Sequence, residues 1–221
     1  MPLIQENKFT LPLYHGTTSR FINSIKKLGL GGKNPLEDIG LISLFREVFD
    51  HADKVLVNDH HWEKFRDKFQ NYAEQNIVQG IFNFRHGDTY LTLNRELAEK
   101  YAMECPCGSE ILTQFKSLLQ MLKAKRVEGL NNIVPVAVLD SLEAPYDPYV
   151  IELNEVSINE VQAEVGQGFE EQIANMDALL QQGIVSPSAF VLTHPISQER
   201  LSIKRLGEYQ KLDEEWLLTM I

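Results

Sequence analysis

The stretch from Leu11 to Thr18 constrains the fold most, because it joins a short apolar segment directly to a helix signal. Thr18 or Ser19 can cap the helix, and Gly29 can end it. The apolar residues between them recur at helical spacing: Phe21, Ile22, Ile25 and Leu28. This pattern predicts a short strand that leads into a helix, with His15 at the lip of a sheet.

Residues 88–103 repeat the same layout. Tyr90 and Thr92 share one face of a short predicted strand, and Asn94 is placed to cap the helix that follows. The predicted buried stripe of that helix is Leu97, Ala98 and Tyr101. His15 alone is most simply a half-buried strand residue, and Tyr90 alone a core tyrosine. The pair, each with its own helix, favours a functional interpretation.

Together, the two stretches resemble the ADP-ribosyltransferase superfamily, in the branch whose signature is histidine, tyrosine and glutamate. The matching segments are Tyr14-His15-Gly16-Thr17 with its helix and Tyr90-Leu91-Thr92 with the helix through Ala102. The resemblance implies an α+β fold whose core is a split, mixed or antiparallel β-sheet. It also implies a helical insertion at about 36–80, which would serve as a lid or an acceptor-recognition element.

The resemblance implies NAD as the co-substrate and gives each matching residue a role. His15 would bind a ribose hydroxyl, and the backbone of Gly16 would approach the nicotinamide carboxamide. Tyr90 would stack on the nicotinamide ring. Thr17 and Thr92 would orient these groups.

The third signature residue is matched best by Glu171, which precedes the Gly183–Pro187 segment. Glu164, Glu170 and Gln172 stay open as alternatives, because residues 175–182 look helical where the family has a short strand. A solvated carboxylate explains Glu171 almost equally well. In that case the chain would keep an NAD-binding fold without catalysis.

These matches lead us to expect a mono-ADP-ribosyltransferase that transfers ADP-ribose from NAD to a macromolecular acceptor and releases nicotinamide. The acceptor, a protein side chain, a nucleic acid or a small molecule, stays open. A toxin, a delivered effector or a phage-conflict enzyme would fit this activity. The alternatives are a non-catalytic NAD-binding or protein-interaction module, whose helical insertion would contact a partner, and an enzyme like RNA 2'-phosphotransferase.

The composition of the chain limits the number of domains, the binding partners and the compartment. A chain of 221 residues, 43% of them hydrophobic, can bury one substantial core, so we expect a single domain over residues 1–221. A net charge of −10 opposes broad adhesion to nucleic acid or to an anionic membrane. The absence of a long apolar run or signal-peptide layout favours the cytoplasm, or the host cytosol for a delivered effector.

Two motifs could suggest a metal but are explained more simply. Cys105 and Cys107 flank one proline at a spacing too short for an unstrained disulfide, and no further cysteine joins them. Asp59 precedes two histidines at a predicted helix start, where an acidic cap is the commoner role. We therefore expect no metal site and a reducing compartment.

The second half of the chain offers four more predicted strands. β-Branched and aliphatic residues dominate the first two, and turn residues or alternation mark the others. They are Ile133–Leu139, Tyr149–Leu153, the end of Ile184–Leu192 and a strand within 197–206.

Overall fold

The computed structural model describes residues 2–32, 39–78, 82–83, 87–105, 107–164 and 168–207. Its strands are β1 (Ile4–Gln5), β2 (Lys8–Phe9), β3 (Leu13–Thr18), β4 (Ile77–Val78), β5 (Phe82–Asn83), β6 (Tyr90–Thr92), β7 (Pro148–Leu153), β8 (Val161–Ala163), β9 (Ala189–Leu192) and β10 (Leu201–Arg205). Its α-helices are α1 (Ser19–Leu28), α2 (Leu41–Val55), α3 (His60–Glu74), α4 (Arg95–Glu104), α5 (Glu110–Ala124), α6 (Leu130–Ile133), α7 (Val136–Glu143) and α8 (Phe169–Gln181).

A six-stranded antiparallel sheet organises the fold, in the order β10-β7-β3-β6-β9-β8. Short hairpins pair β1 with β2 and β4 with β5. The predicted α+β class is thus confirmed, and the sheet is antiparallel throughout. The two strands that carry the sequence motifs, β3 and β6, are neighbours at its centre.

One face of the sheet packs into an apolar core with α1 and α8. Phe190 lies at its middle, fully buried, with ring centroids 5.0 Å from Phe9 and 5.9 Å from Phe169. The buried members of this sheet core are Leu3, Phe9, Leu13, Ile25, Leu30, Leu91, Leu93, Ile151, Leu153, Val156, Val161, Met176, Phe190 and Ile196. Strand alternation explains the members that lie in β3, β6, β7, β8 and β9, because every second residue of a strand points to this face. The other members come from β2, from helices and from the segments between elements.

A second core is built from helices α2, α3, α5, α6 and α7. Phe45, Trp62, Tyr72 and Phe115 are its largest buried side chains, and Phe45 contacts Tyr72 and Phe115 ring to ring. Phe21 of α1 packs against both cores and joins them. The region predicted as a helical insertion, about 36–80, contributes α2 and α3 to this body, while residues 33–38 and 79–80 lie outside the described part.

Most local predictions hold. Strands are confirmed at Tyr149–Leu153, at the end of Ile184–Leu192 and within 197–206, and residues 175–181 are helical. Asp59 caps α3, because its carboxylate accepts from the backbone N–H of Trp62 at 2.9 Å.

The predicted strand at Ile133–Leu139 is wrong. This segment ends α6 and begins α7, with Pro135 at the N-cap. Val134, Val138 and Leu142 are buried at a spacing of four, whereas Val136 is 64% exposed. Burial against the helical core therefore overrides the β-propensity of the valines.

Candidate functional site

The central strands β3 and β6 meet at one register position only. Tyr14 pairs with Thr92, whereas β3 pairs with β7 over its whole length, from Leu13 to Thr18. β6 in turn pairs with β9 at all three of its residues. The two central strands therefore diverge beyond Tyr14, and the sheet is open between the second half of β3 and the start of β6.

His15 lies beside this opening. Its Nδ1 is 2.9 Å from the carbonyl oxygen of Tyr90, a residue 75 positions away in the chain. Because a carbonyl can only accept, Nδ1 carries the proton when this bond forms, and Nε2 keeps its lone pair. Burial lowers the pKa of the imidazole, and the bond to Tyr90 opposes that shift. The ring is therefore neutral at pH 7 and can accept a hydrogen bond through Nε2.

The predicted position of His15 at the lip of the sheet is wrong. The strand continues through Thr18, so His15 is its third residue and pairs with Ile151 of β7. Pairing with β7 extends the strand up to the first residue of α1. Thr18 does occupy the N-cap position, but its side chain makes no capping hydrogen bond.

Gly16 lies beneath helix α4. A Cβ built on Gly16 would stand 2.0 Å from the carbonyl oxygen of Ala98 and 3.0 Å from the backbone nitrogen of Ala102. Both are backbone atoms, so no side-chain rotation could relieve the clash. The missing side chain of Gly16 is thus required by the close packing of a helix on the strand.

Helix α4 begins as predicted, but the residues that it buries differ from the predicted ones. Asn94 caps it through a bond accepted from the N–H of Leu97 at 3.0 Å. Ala98 and Ala102 are buried against the sheet, whereas Leu97 is 36% and Tyr101 38% exposed. The predicted buried stripe of Leu97, Ala98 and Tyr101 is therefore wrong for two of its three members, because only small residues fit over Gly16.

The register separates the remaining motif residues between the two faces of the sheet. Tyr14 and Thr92 are paired, so Tyr90, two residues from Thr92, shares their face with Gly16 and α4. His15 and Thr17 alternate to the other face, that of the sheet core. His15 and Tyr90 thus flank the opening from opposite faces.

The side chains of Thr17 and Thr92 are buried within the fold. Thr17 is 1% and Thr92 6% exposed. The hydroxyl of Thr92 donates to the carbonyl of Ser188 at 3.3 Å and accepts from the N–H of Asn94 at 3.1 Å. Thr92 therefore fixes the junction between β6, β9 and the cap of α4.

The candidate carboxylates occupy different environments. Glu170 and Glu171 are exposed in the first turn of α8. Gln172 is buried, and its Nε2 donates to the carbonyl of Ala189 at 2.8 Å, while its Oε1 has no hydrogen-bond partner among the described residues. Glu164 follows β8 directly and is half-buried, and burial raises the pKa of its carboxyl. Of the three glutamates, only Glu164 is half-buried, and the other two are exposed.

Two surface cavities among the described residues bear on the site. One of about 170 Å³ adjoins the start of β6 and is lined by Gly31, Gly87, Asp88, Thr89, Leu192, Thr193, His194 and Pro195. A groove of about 610 Å³ lies among Lys8, Asn154, Glu155, Ser157, Glu160, Glu199 and Arg200. In the groove, Lys8 pairs with Glu155 and Arg200 with Glu160, so its cations are neutralised by the protein itself. The smaller cavity is the one next to the motif residues.

The described residues contain no cluster of three or more His, Cys, Asp or Glu side chains that could hold a metal ion. Cys105 and Cys107 are free thiols, and burial raises the pKa of each, that of Cys105 to about 12. A thiol with a raised pKa is a poor ligand and a poor nucleophile at neutral pH. In the same described part, none of the helices combines the length and apolarity that a bilayer crossing requires.

Comparison of the chain with models of protein families, with curated proteins and with solved structures gave no match.

Proposed function

We propose that the chain binds NAD at the opening between β3 and β6 and transfers its ADP-ribose to a macromolecular acceptor. The observation that carries this proposal is the contact between the His15 imidazole and the main chain of Tyr90. Two motifs far apart in sequence thereby meet at the one place where the central strands separate. This arrangement supports an ADP-ribosyltransferase type of sheet.

Transfer of ADP-ribose from NAD depends mainly on how the protein positions the substrate and stabilises charge. Cleavage of the bond between nicotinamide and ribose passes through an oxocarbenium-like state, as in glycoside hydrolysis. The enzyme must hold the dinucleotide, orient the nicotinamide and place a carboxylate near the developing positive charge. The neutral Nε2 of His15 can accept from a ribose hydroxyl, and the ring of Tyr90 offers a stacking surface on the other face.

A direct test is to incubate the full chain with NAD and to measure nicotinamide release and NAD binding. His15→Ala and Tyr90→Ala should each weaken NAD binding about tenfold or more, because each removes one contact worth about 1–1.5 kcal/mol. His60→Ala is the matched control, because its side chain is 82% exposed at the start of α3. Unchanged NAD binding in both motif variants would contradict the proposed site.

A non-catalytic NAD-binding module is the second candidate. It is favoured by the exposure of Glu171, which leaves the best sequence match to the signature glutamate in solvent. Saturable NAD binding without nicotinamide release, in the presence and absence of cell lysate, would identify this module. Release of nicotinamide would exclude it.

A further inference from the structure

We propose that Tyr72 and Glu110 are positioning residues for the NAD site, because they fix helix α4 beside the opening between β3 and β6. This inference rests on the proposed function and adds a control of that site by the helical region. Tyr72 belongs to α3, and Glu110 is the first residue of α5. Both act through α4, since neither belongs to the sheet that carries His15 and Tyr90.

Helix α4 meets the sheet through small side chains. Ala98 and Ala102 are its buried residues, and their backbone atoms lie against Gly16. A buried alanine removes much less apolar area from water than a leucine or a phenylalanine does. Packing on the sheet therefore supplies only part of what holds α4 in place, and the contacts that α4 makes with other helices supply the rest.

Tyr101 links α4 to the start of α5. Its Oη accepts a hydrogen bond from the backbone N–H of Glu110 at 3.1 Å, and the hydroxyl is also hydrogen-bonded to the thiol of Cys105. The first turn of a helix leaves its N–H groups without intrahelical partners. Ser109 satisfies that of Leu112 at 3.3 Å. Tyr101 thus completes the cap of α5 from a different helix, and this bond ties the two helices together.

The side chain of Glu110 continues the link to α3. Its Oε1 accepts a hydrogen bond from the hydroxyl of Tyr72 at 2.5 Å. Tyr72 is 2% exposed, and its ring stacks on that of Phe45 with the centroids 6.3 Å apart. Burial raises the pKa of the Tyr72 phenol, so the hydroxyl keeps the proton that it donates. A side chain fixed in the helical core therefore holds Glu110, and through it the start of α5.

These contacts form one continuous path from the helical core to the sheet. The path runs through Tyr72, Glu110, Tyr101, the backbone of α4 and Gly16. Tyr90 shares the face of the sheet that carries Gly16 and α4, so a displacement of α4 changes the space beside the Tyr90 ring. Close-packed interiors transmit such displacements. Loss of the bond between Tyr72 and Glu110 should therefore weaken NAD binding, although neither residue touches the dinucleotide.

The experiment begins with Tyr72→Phe, which removes only the hydroxyl. We expect the Kd for NAD, and the KM for NAD in nicotinamide release, to rise about 3- to 10-fold. The kcat should change less than about twofold, because the lost contact acts equally on bound substrate and transition state. Glu110→Ala should act in the same way. Glu110→Gln keeps an acceptor for the Tyr72 hydroxyl and should recover part of the affinity.

Asp53→Asn is the matched control within the same pair of helices. The carboxylate of Asp53 accepts from Nε1 of Trp62 at 3.1 Å and from Nε of Arg66 at 2.6 Å, so it joins α2 to α3 without leading to α4. Urea denaturation measures the stability of each variant. We expect Asp53→Asn to be destabilised and yet to keep the Kd for NAD within about twofold of the wild type. An equal rise of the Kd in Asp53→Asn and Tyr72→Phe would overturn the positioning role, because general loosening of the helices would then explain both.

The remaining outcomes separate this role from the proposed function. If the wild type binds NAD and Tyr72→Phe binds it equally well, the positioning role is overturned and the proposed function stands. If the wild type binds no NAD, the proposed function fails, and the positioning role fails with it. Circular dichroism shows which variants fold, and Tyr72→Phe and Glu110→Gln keep the test decisive if Glu110→Ala does not.

Discussion

The protonation state of His15 follows from its surroundings. Burial lowers the pKa of the imidazole below the ordinary value of 6.5, and the carbonyl of Tyr90 fixes the proton on Nδ1. The neutral ring is the form that offers an acceptor to a ligand hydroxyl. Protonation at Nε2 should therefore remove the acceptor for a ligand hydroxyl, while the Nδ1–H bond to Tyr90 stays in place.

This gives a prediction for stability against pH. Between the lowered folded-state pKa and the unfolded value near 6.5, the unfolded chain binds a proton at His15 that the folded chain does not. The free energy of unfolding should thus fall as the pH is lowered from 7 through this range. In His15→Asn this component should be absent, so urea titrations at pH 7.5 and 5.5 should differ less for the variant than for the wild type. An equal or larger difference in the variant would contradict it.

Gly16 provides a second residue-scale prediction. A methyl group at this position meets two backbone atoms of α4, so Gly16→Ala must push the helix from the strand. We expect a loss of about 1–3 kcal/mol or more in the free energy of unfolding. Gly207→Ala is the control, because a Cβ there meets no atom of the described residues within 4 Å and the change should stay within about 0.5 kcal/mol. Equal stabilities of the two variants would show that α4 does not pack as described.

At the scale of elements, the cap of α4 matters because this helix covers the centre of the sheet. The Asn94 side chain accepts a hydrogen bond from the N–H of Leu97, one of the free N–H groups at the start of the helix. Asn94→Ala should cost about 1 kcal/mol in urea denaturation. Asn175→Ala, at an exposed position inside α8, should instead be neutral or slightly stabilising, since alanine is the better helix former. A neutral Asn94→Ala would mean that the cap does not form in solution.

Elements defined by local signals were predictable, and elements defined by packing were not. Gly29 ends α1 with a positive φ of 83°, and Asn94 begins α4, so both helices have clear boundaries in the sequence. In the segment Ile133–Leu139 the local signals conflict, because Pro135 can begin a helix. Its valines favour a strand locally, and only the helical core against which they pack makes them helical.

At the scale of the molecule, two cores share one chain. Phe21 packs against both, and Ser19 binds Asp147 through its backbone and its hydroxyl at the junction of α1 and β7. We therefore expect the sheet core and the helical core to unfold together.

Phe190→Ala in the sheet core and Phe115→Ala in the helical core test this cooperativity. Each side chain is fully buried, so each variant should lose about 3–5 kcal/mol. Calorimetry should show one transition in the wild type, shifted to lower temperature in both variants. Two separate transitions, each sensitive to one of the substitutions, would show that the cores unfold independently.

The sequence by itself determined the two strand-helix units that carry His15 and Tyr90, because caps, glycines and apolar spacing act over a few residues. It could not decide that β3 extends through Thr18, since that depends on pairing with β7. It also left the carboxylate open among Glu164, Glu170 and Glu171. The tertiary structure separates these glutamates by burial, since Glu164 is half-buried after β8 whereas Glu170 and Glu171 are exposed in α8. Burial depends on contacts between segments that lie far apart in the chain.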